Sequence, residues 1–113
     1  MVPRLAGFDW DSGNREKCRR HGVSIEDIET AFQRDLWVIP DSARSRTEQR
    51  FRAIGTDATG RTIFIAFTLR DSAGGPLVRP ISARYMHRKE IEHYEEQKIE
   101  AEKAARAEKR RGS

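Results

Sequence analysis

The chain has 113 residues, 35% of them charged and 36% apolar, which leaves room for one domain with a small core. No stretch approaches the roughly 18 apolar residues of a membrane-spanning helix, and the N-terminus lacks the apolar segment of a secretory signal peptide. The single cysteine, Cys18, excludes an intrachain disulfide framework and a cysteine-based structural zinc site. We therefore expect a cytoplasmic protein.

The net charge of +4 is concentrated in the body of the chain. Residues 88–113 carry 8 basic and 7 acidic side chains, whereas residues 1–87 carry 14 basic and 11 acidic ones. Of those 14 basic residues, 13 are arginine. Guanidinium groups bind phosphate in a bidentate manner, so this composition suggests contacts with nucleic acid. A coding bias toward arginine would give the same composition, and both explanations stay open at this point.

The first third of the chain predicts a short strand followed by two helices. The strand covers about residues 5–10, and Asp11 caps a helix that continues to about residue 20. Ser24 caps a second helix over about residues 25–33, whose apolar residues recur at helical spacing on one face.

Four strands and one long helix follow. A polar loop at residues 42–47 separates the first of these strands from the others, and glycine-containing turns separate the last three. The third of the four is apolar on both faces, as a central strand would be, and Pro80 favours an edge position or a bulge in the last. The strands are predicted at residues 36–39, 48–55, 61–70 and 77–85.

The last helix is predicted over about residues 87–110. Ile91 and Tyr94 are suited to packing on the sheet, but few apolar residues follow Gln97. At 1.5 Å per residue, about 24 residues span roughly 36 Å, so the end of the helix is expected to project from the body. We predict one domain over residues 1–96 and a charged helical extension over residues 97–113.

The resulting order is β-α-α-β-β-β-β-α, an α+β domain built on a small antiparallel sheet with an extended C-terminal helix. Helices are expected to cover one face of the sheet and to leave the other partly open. The sequence contains no phosphate-binding glycine loop, and its histidines lack metal-ligand spacing, so neither a cofactor nor a metal is expected. The basic neighbours of Cys18 could lower the pKa of its thiol, although an ordinary helix thiol is the simpler interpretation.

Arginines alternate with apolar residues along the predicted strands. Arg50 and Arg52 share a strand face with Glu48, and Ser82 and Arg84 alternate with apolar residues in the last strand. We expect these to be neighbouring strands whose polar sides form one surface. A carboxylate among arginines on a sheet face suggests a site that cleaves phosphodiester bonds.

Cleavage of RNA needs no metal when the 2′-hydroxyl attacks the adjacent phosphate. A base must take the hydroxyl proton, and arginines must stabilise the charge that develops on the phosphate. Glu48 or His21 is a candidate base, and Arg50, Arg70 and Arg84 are candidates for holding the phosphate.

The leaving oxygen must also receive a proton, for which His21, His87 and Tyr94 are candidates. Each catalytic candidate has an ordinary structural alternative. Glu48 is also suited to a surface ion pair, Tyr94 to packing, and His21 to capping the end of a helix.

The order and spacing of many residues resemble the BrnT family, the ribonuclease toxins of bacterial type II toxin–antitoxin systems. The resemblance covers about residues 7–96, and its best single segment is Ser-Ala-Arg at 82–84 followed by Arg88, Glu90 and Tyr94. The other matching positions are Phe8-Asp9-Trp10-Asp11, Lys17, His21-Gly22-Val23-Ser24, Phe32, Pro40-Asp41, Glu48-Gln49-Arg50-Phe51, Ile54-Gly55, Gly60-Arg61, Thr68, Arg70, Ile81 and Glu95.

The resemblance implies a RelE-like fold, RNA cleavage that halts translation, and neutralisation by a BrnA-type ribbon-helix-helix antitoxin. Operator DNA would be contacted only through the antitoxin, and a homodimer or a hetero-tetramer with the antitoxin is possible. The catalytic residues it suggests here are Arg84, Arg50, Glu48, His21, Arg70 and Tyr94. Five residues are candidates for RNA binding, of which Lys17, Ser82 and Arg88 match the family pattern, while Arg20 and Arg52 belong to the clusters of basic residues: Lys17, Arg20, Arg52, Ser82 and Arg88.

Two segments depart from the family pattern. The turn at residues 71–76 is longer than expected, and the chain continues past the usual end near residue 97. A non-catalytic nucleic-acid-binding module and a protein-interaction module remain the alternatives to a ribonuclease.

Overall fold

The computed structural model describes residues 5–41 and 49–111, with side chains up to residue 108. The predicted loop at 42–47 and the predicted strand residue Glu48 lie outside the described residues. Elsewhere the predicted α+β class and element order are confirmed. The elements are β1 (Gly7–Phe8), α1 (Ser12–Arg19), α2 (Ile25–Phe32), β2 (Trp37–Asp41), β3 (Arg50–Thr56), β4 (Thr62–Arg70), β5 (Leu77–Tyr85) and α3 (Arg88–Arg111).

The five strands form one sheet in the order β1-β5-β4-β3-β2. Strands β2 to β5 are an antiparallel meander, and β1 pairs in parallel with residues 77 and 78 at the start of β5. The expectation that the two arginine-bearing strands are neighbours is wrong. A meander places consecutive strands side by side, so β4 separates β3 from β5.

A bulge in β5 accommodates Pro80. Ala66 pairs with Ser82 and Phe67 pairs with Pro80, so Ile81 has no partner on β4. This irregularity confirms the predicted association of Pro80 with a bulge, where a strand tolerates a residue that lacks a backbone N–H.

The core lies on one face of the sheet, under α1 and α2. The ring of Phe67 stacks on that of Phe51 at 5.3 Å and meets that of Phe32 edge-on at 5.2 Å. These rings fill the space between β3, β4 and α2. The buried apolar residues are Cys18, Val23, Ile28, Ala31, Ala53, Ile63, Ile65, Phe67, Val78, Ala83 and Met86.

Both predicted helix caps are present. Asp11 accepts a hydrogen bond from the backbone N–H of Asn14, whose side chain accepts one from the N–H of Asp11 in return. Ser24 accepts from the N–H of Asp27. These bonds satisfy N–H groups that have no partner inside a helix.

The side chain of Asn14 also fixes α1 to the sheet. Its amide group donates to the carbonyl of Asp9 at 2.9 Å and to the carbonyl of Pro80 at 3.0 Å. Asn14 is only 5% exposed, so both bonds are shielded from water. They hold the first turn of α1 beside the bulge of β5.

Helix α3 begins on the opposite face, which we call the open face. Tyr94 meets Trp37 edge-on at 6.0 Å, and Ile91 and Ile54 line the same cavity between α3 and the sheet. From residue 95 to residue 108 the side chains of α3 are exposed, including that of Ile99 at 52%. Helix α3 therefore covers only one end of the open face. No helix in the described ranges has the length and apolar character needed to cross a membrane.

Candidate active site

Strand pairing places three rows of side chains on the open face. Arg50 belongs to the first row and Arg84 to the third. Measured along the strands, these two rows are four residues apart, or about 14 Å. The two predicted phosphate clamps therefore mark opposite ends of one surface. The rows are Arg50–Thr68–Arg79, Arg52–Ala66–Ser82 and Ile54–Phe64–Arg84.

Three arginines lie close together at the first end, and we call them the arginine patch: Arg50, Arg52 and Arg70. Arg50 and Arg52 are two residues apart on one strand face, and Arg70 is diagonal to Arg50 on β4, so the β-carbon of Arg50 lies about 7 Å from that of each of the other two. Asp41 lies directly opposite Arg50 on β2. The Nε of Arg52 is buried and has no hydrogen-bond partner among the described residues. The three guanidinium groups give this end of the open face a basic character.

Arg84 is held in a bidentate ion pair at the other end. Its two terminal nitrogens donate to the two carboxylate oxygens of Glu90, each at 2.8 Å, and its guanidinium lies 5.0 Å from the ring centre of Phe64. Glu90 also accepts from the backbone N–H of His87 at 3.1 Å. The carboxylate thus joins the start of α3 to the last strand and fixes the orientation of Arg84.

This pair shifts the pKa of both partners. The hydrogen bond from Arg84, followed by that from the His87 N–H, lowers the pKa of Glu90 to about 2. The pKa of Arg84 is raised, mainly by its hydrogen bond to Glu90, with a smaller electrostatic contribution from Tyr94. Tyr94 follows Glu90 by one helical turn, so Arg84, Glu90 and Tyr94 form one cluster.

His21 lies apart from this surface. It is exposed after the end of α1, next to Gly22, whose φ of 82° is the left-handed conformation that glycine adopts readily. No hydrogen bond or ion pair among the described residues joins His21 to the open face. The structure therefore does not bring His21 together with Arg50 or Arg84.

The predicted RNA-binding residues occupy three regions. Arg52 and Ser82 share the middle row of the open face, and Arg88 is exposed at the start of α3. Lys17 and Arg20 are exposed on α1 and at its C-terminal end. The open face thus unites the strand residues, while Lys17 alone of the two α1 residues shares a cavity with residues of that face, Arg50 and Arg79.

A family model described as the ribonuclease toxin, BrnT, of type II toxin–antitoxin systems matches residues 10–90. The chain belongs to the BrnT family. No curated protein matches it. Membership indicates a ribonuclease toxin that acts on RNA and is paired with an antitoxin protein, and it confirms the resemblance found in the sequence.

Cys18 is not a reactive group in this BrnT chain. It is fully buried in the core, and burial raises the pKa of its thiol to about 11. The suggestion that its basic neighbours lower this pKa is wrong, because the loss of hydration outweighs their charges. Within the described ranges, no group of three or more histidine, cysteine or acidic side chains is arranged to hold a metal ion.

Arg79 is the main polar residue of the open face that the predicted site omits. Its guanidinium donates to Asp11 at 2.7 Å and to Asp9 at 3.4 Å. The pKa of Arg79 is raised, chiefly by the hydrogen bond to Asp11, and that of Asp11 is lowered, chiefly by the N–H of Asn14 and then by Arg79. The partners are about 70 residues apart in sequence, and only the parallel pairing of β1 with β5 brings them together.

A second polar group lies beside the turn between β3 and β4. The hydroxyl of Tyr85 is 3.2 Å from a carboxylate oxygen of Asp57 and 3.3 Å from one of Asp27, and the guanidinium of Arg61 lies 3.7 Å from the centre of its ring. Asp57 also accepts bonds from Thr59 and Arg61. This arrangement stabilises the turn and links α2 to the sheet.

The ion pair at Arg84 predicts a pH-dependent contribution to stability. The pKa of Glu90 is about 2 in the folded chain against an ordinary value of 4.5, so the contribution is complete above about pH 4.5 and is lost as the pH falls toward 2. Thermal unfolding of the wild type and of Glu90→Gln should therefore differ most near neutral pH and converge as the pH approaches 2. A difference between the two that does not change with pH would contradict an ionised pair.

Proposed function

We propose that this BrnT chain is an endoribonuclease that cleaves RNA without a metal ion and thereby inhibits translation. The observation that carries the proposal is the open face, where the arginine patch and the oriented Arg84 lie on one accessible surface. Such a surface binds a polyanion along its length, and the ion pair with Glu90 fixes the guanidinium of Arg84 before the RNA arrives.

In the proposed reaction, the 2′-hydroxyl of the RNA attacks the adjacent phosphorus, and the bond to the 5′-oxygen of the next nucleotide breaks. Arg84 and Arg50 hold phosphates at the two ends of the surface, and Arg70 supports Arg50. Glu48 and His21 are the proposed proton-transferring groups, although Glu48 lies outside the described residues and His21 lies apart from the open face in the free chain.

Arg84 keeps binding capacity in spite of its ion pair. Glu90 occupies two of the five N–H donors of the guanidinium, which leaves donors for a phosphate oxygen. The ring of Tyr94 packs on Trp37, so the phenol is held near Arg84 and is a proposed supporting acid. Binding of the flanking RNA is assigned to five residues: Lys17, Arg20, Arg52, Ser82 and Arg88.

The proposed reaction predicts that cleavage continues in a metal chelator. Purified chain incubated with single-stranded RNA and excess EDTA should give products that end in a 2′,3′-cyclic phosphate, because the attacking oxygen belongs to the RNA. RNA with 2′-O-methyl groups should bind but remain intact.

Two outcomes would contradict this proposal. Cleavage that stops in EDTA and returns with Mg²⁺ would show that a metal is required. Salt-dependent binding without cleavage of any RNA would favour a non-catalytic nucleic-acid-binding module.

The proposed partner is a BrnA-type ribbon-helix-helix antitoxin, through which alone the complex would contact operator DNA. Family membership supports an antitoxin partner in general. Co-expression with the adjacent reading frame, followed by mass measurement of the purified complex, tests the partner type and distinguishes a homodimer from a hetero-tetramer. Purification of the chain alone from such cells, with growth still arrested, would count against this partner.

A further inference from the structure

A cavity of about 240 Å³ opens between α1 and the bulge of β5. Three cationic side chains from three different elements line it: Lys17 of α1, Arg50 of β3 and Arg79 of β5. Among the described residues, no ion pair engages Lys17 or the guanidinium of Arg50. Two of the three charges are thus available to a ligand.

The third cation is held rigidly. Asp9 and Asp11 bind the two terminal nitrogens of Arg79, and Asp11 is itself fixed as the cap of α1. Arg79 retains further N–H donors, because the two aspartates account for only two of its five. The aspartates therefore orient the guanidinium and leave part of its donor edge unoccupied.

A buried hydroxyl lies between two of these cations. Thr68 pairs with Arg50 on one side and with Arg79 on the other, so all three side chains share one face of the sheet. Thr68 is 3% exposed, and its Oγ1 has no hydrogen-bond partner among the described residues. An unsatisfied buried hydroxyl is costly, and the two arginines that flank it are those whose side chains line the cavity.

We infer that the cavity formed by Lys17, Arg50 and Arg79 binds a backbone phosphate of the RNA, separate from the phosphate at Arg84. The inference rests on the proposed function for the identity of the ligand. The row that contains Arg50 and Arg79 lies about 14 Å along the strands from the row that contains Arg84. An RNA strand that crosses the open face would present different phosphates at the two places.

RNA fits this cavity better than an acidic peptide does. The cavity opens at the end of the open face where the arginine patch lies, so its charge continues an existing basic surface. Guanidinium groups bind phosphate oxygens in two-point contacts, and the charges of Lys17 and Arg50, together with the unoccupied donors of Arg79, match the several oxygens of a phosphodiester better than a single carboxylate. The surface that binds the flanking RNA would thus end at this cavity, beside α1.

The test uses the full-length chain and a single-stranded RNA with 2′-O-methyl groups, which is not cleaved. Lys17→Gln should weaken binding several-fold and reduce the slope of log affinity against log salt by about 0.7, the value for one phosphate contact on a single strand. Arg15→Gln is the matched control. Arg15 is exposed on the same helix, about 200° around the axis from Lys17, and removal of its charge should leave affinity unchanged.

A set of RNAs, each with one neutral methylphosphonate linkage, then locates the phosphate. We expect the neutral linkage at one position to weaken binding of the RNA by the wild type but not by Lys17→Gln, which has already lost that contact. A neutral linkage at a different position should weaken binding by the wild type but not by Arg84→Ala. Circular dichroism of each variant checks that the fold is retained.

Three results would overturn the inference. These are unchanged binding by Lys17→Gln, equal losses in Lys17→Gln and Arg15→Gln, and coupling of Lys17 and Arg84 to the same linkage. Loss of antitoxin binding with intact RNA binding would also overturn it, in favour of an acidic segment of the partner. A chain that shows the predicted coupling but cleaves no RNA would leave this phosphate site standing and refute the proposed function.

Discussion

Replacement of Arg84 by alanine is expected to slow RNA cleavage by about 10²- to 10³-fold, the usual cost of losing one oriented donor to a developing negative charge. Arg84 is held by two 2.8 Å hydrogen bonds to Glu90, so its position is set before substrate binds. The rate constant for a saturating RNA substrate measures this effect. In cells, expression of Arg84→Ala should no longer arrest growth.

Two further variants distinguish catalysis from structure at this position. Glu90→Gln removes the ion pair but keeps Arg84, so it should lower activity less than Arg84→Ala does. Arg61→Ala is the control, because Arg61 also lies over an aromatic ring, that of Tyr85, but outside the open face. This variant should leave the cleavage rate of the folded protein unchanged. Equal losses of cleavage activity in Arg84→Ala and Glu90→Gln would show that the pair has only a structural role. Cleavage by Arg84→Ala at the wild-type rate would exclude Arg84 from the reaction.

Replacement of Phe67 by alanine is expected to destabilise the fold by about 3–5 kcal/mol. Phe67 is 2% exposed, stacks on Phe51 and meets Phe32 edge-on, so its removal leaves a cavity that two strands and a helix cannot all close. A domain of this size has a total stability of about 5–15 kcal/mol, and the variant should be close to unfolding.

Urea denaturation measures this loss, with Phe67→Leu as the comparison. Leucine keeps most of the apolar volume and should cost clearly less than alanine. A loss below about 1 kcal/mol for Phe67→Ala would contradict a core organised around this ring.

The order of the elements could be predicted because local chemistry determines it. Asp11 and Ser24 begin helices by capping them, and alternation along β3 separates Phe51 and Ala53 from the arginines between and beside them. The bulge at Pro80 could be predicted because proline lacks a donor. Each of these signals lies within a few residues of the feature that it determines.

The arrangement across the sheet depended on contacts between distant segments. Two residues, Gly7 and Phe8, make the parallel pairing with β5, and a strand so short carries no pattern that selects its partner. The ion pairs of Arg79 follow from that pairing. The separation of Arg50 from Arg84 follows in the same way from the position of β4 and from the register of two hairpins.

Helix α3 behaves mechanically as a rod clamped at one end. Its first two turns are fixed by the Arg84–Glu90 pair and by the contact of Tyr94 with Trp37, whereas residues 95–108 touch nothing that buries them. Over the roughly 25 Å from residue 95 to the end of the helix at Arg111, a rotation of about 5° at the clamp displaces the far end by about 2 Å. A change at the Arg84–Glu90 pair would thus displace the tip of the helix, and a force applied to the tip would act with the same leverage on Arg84.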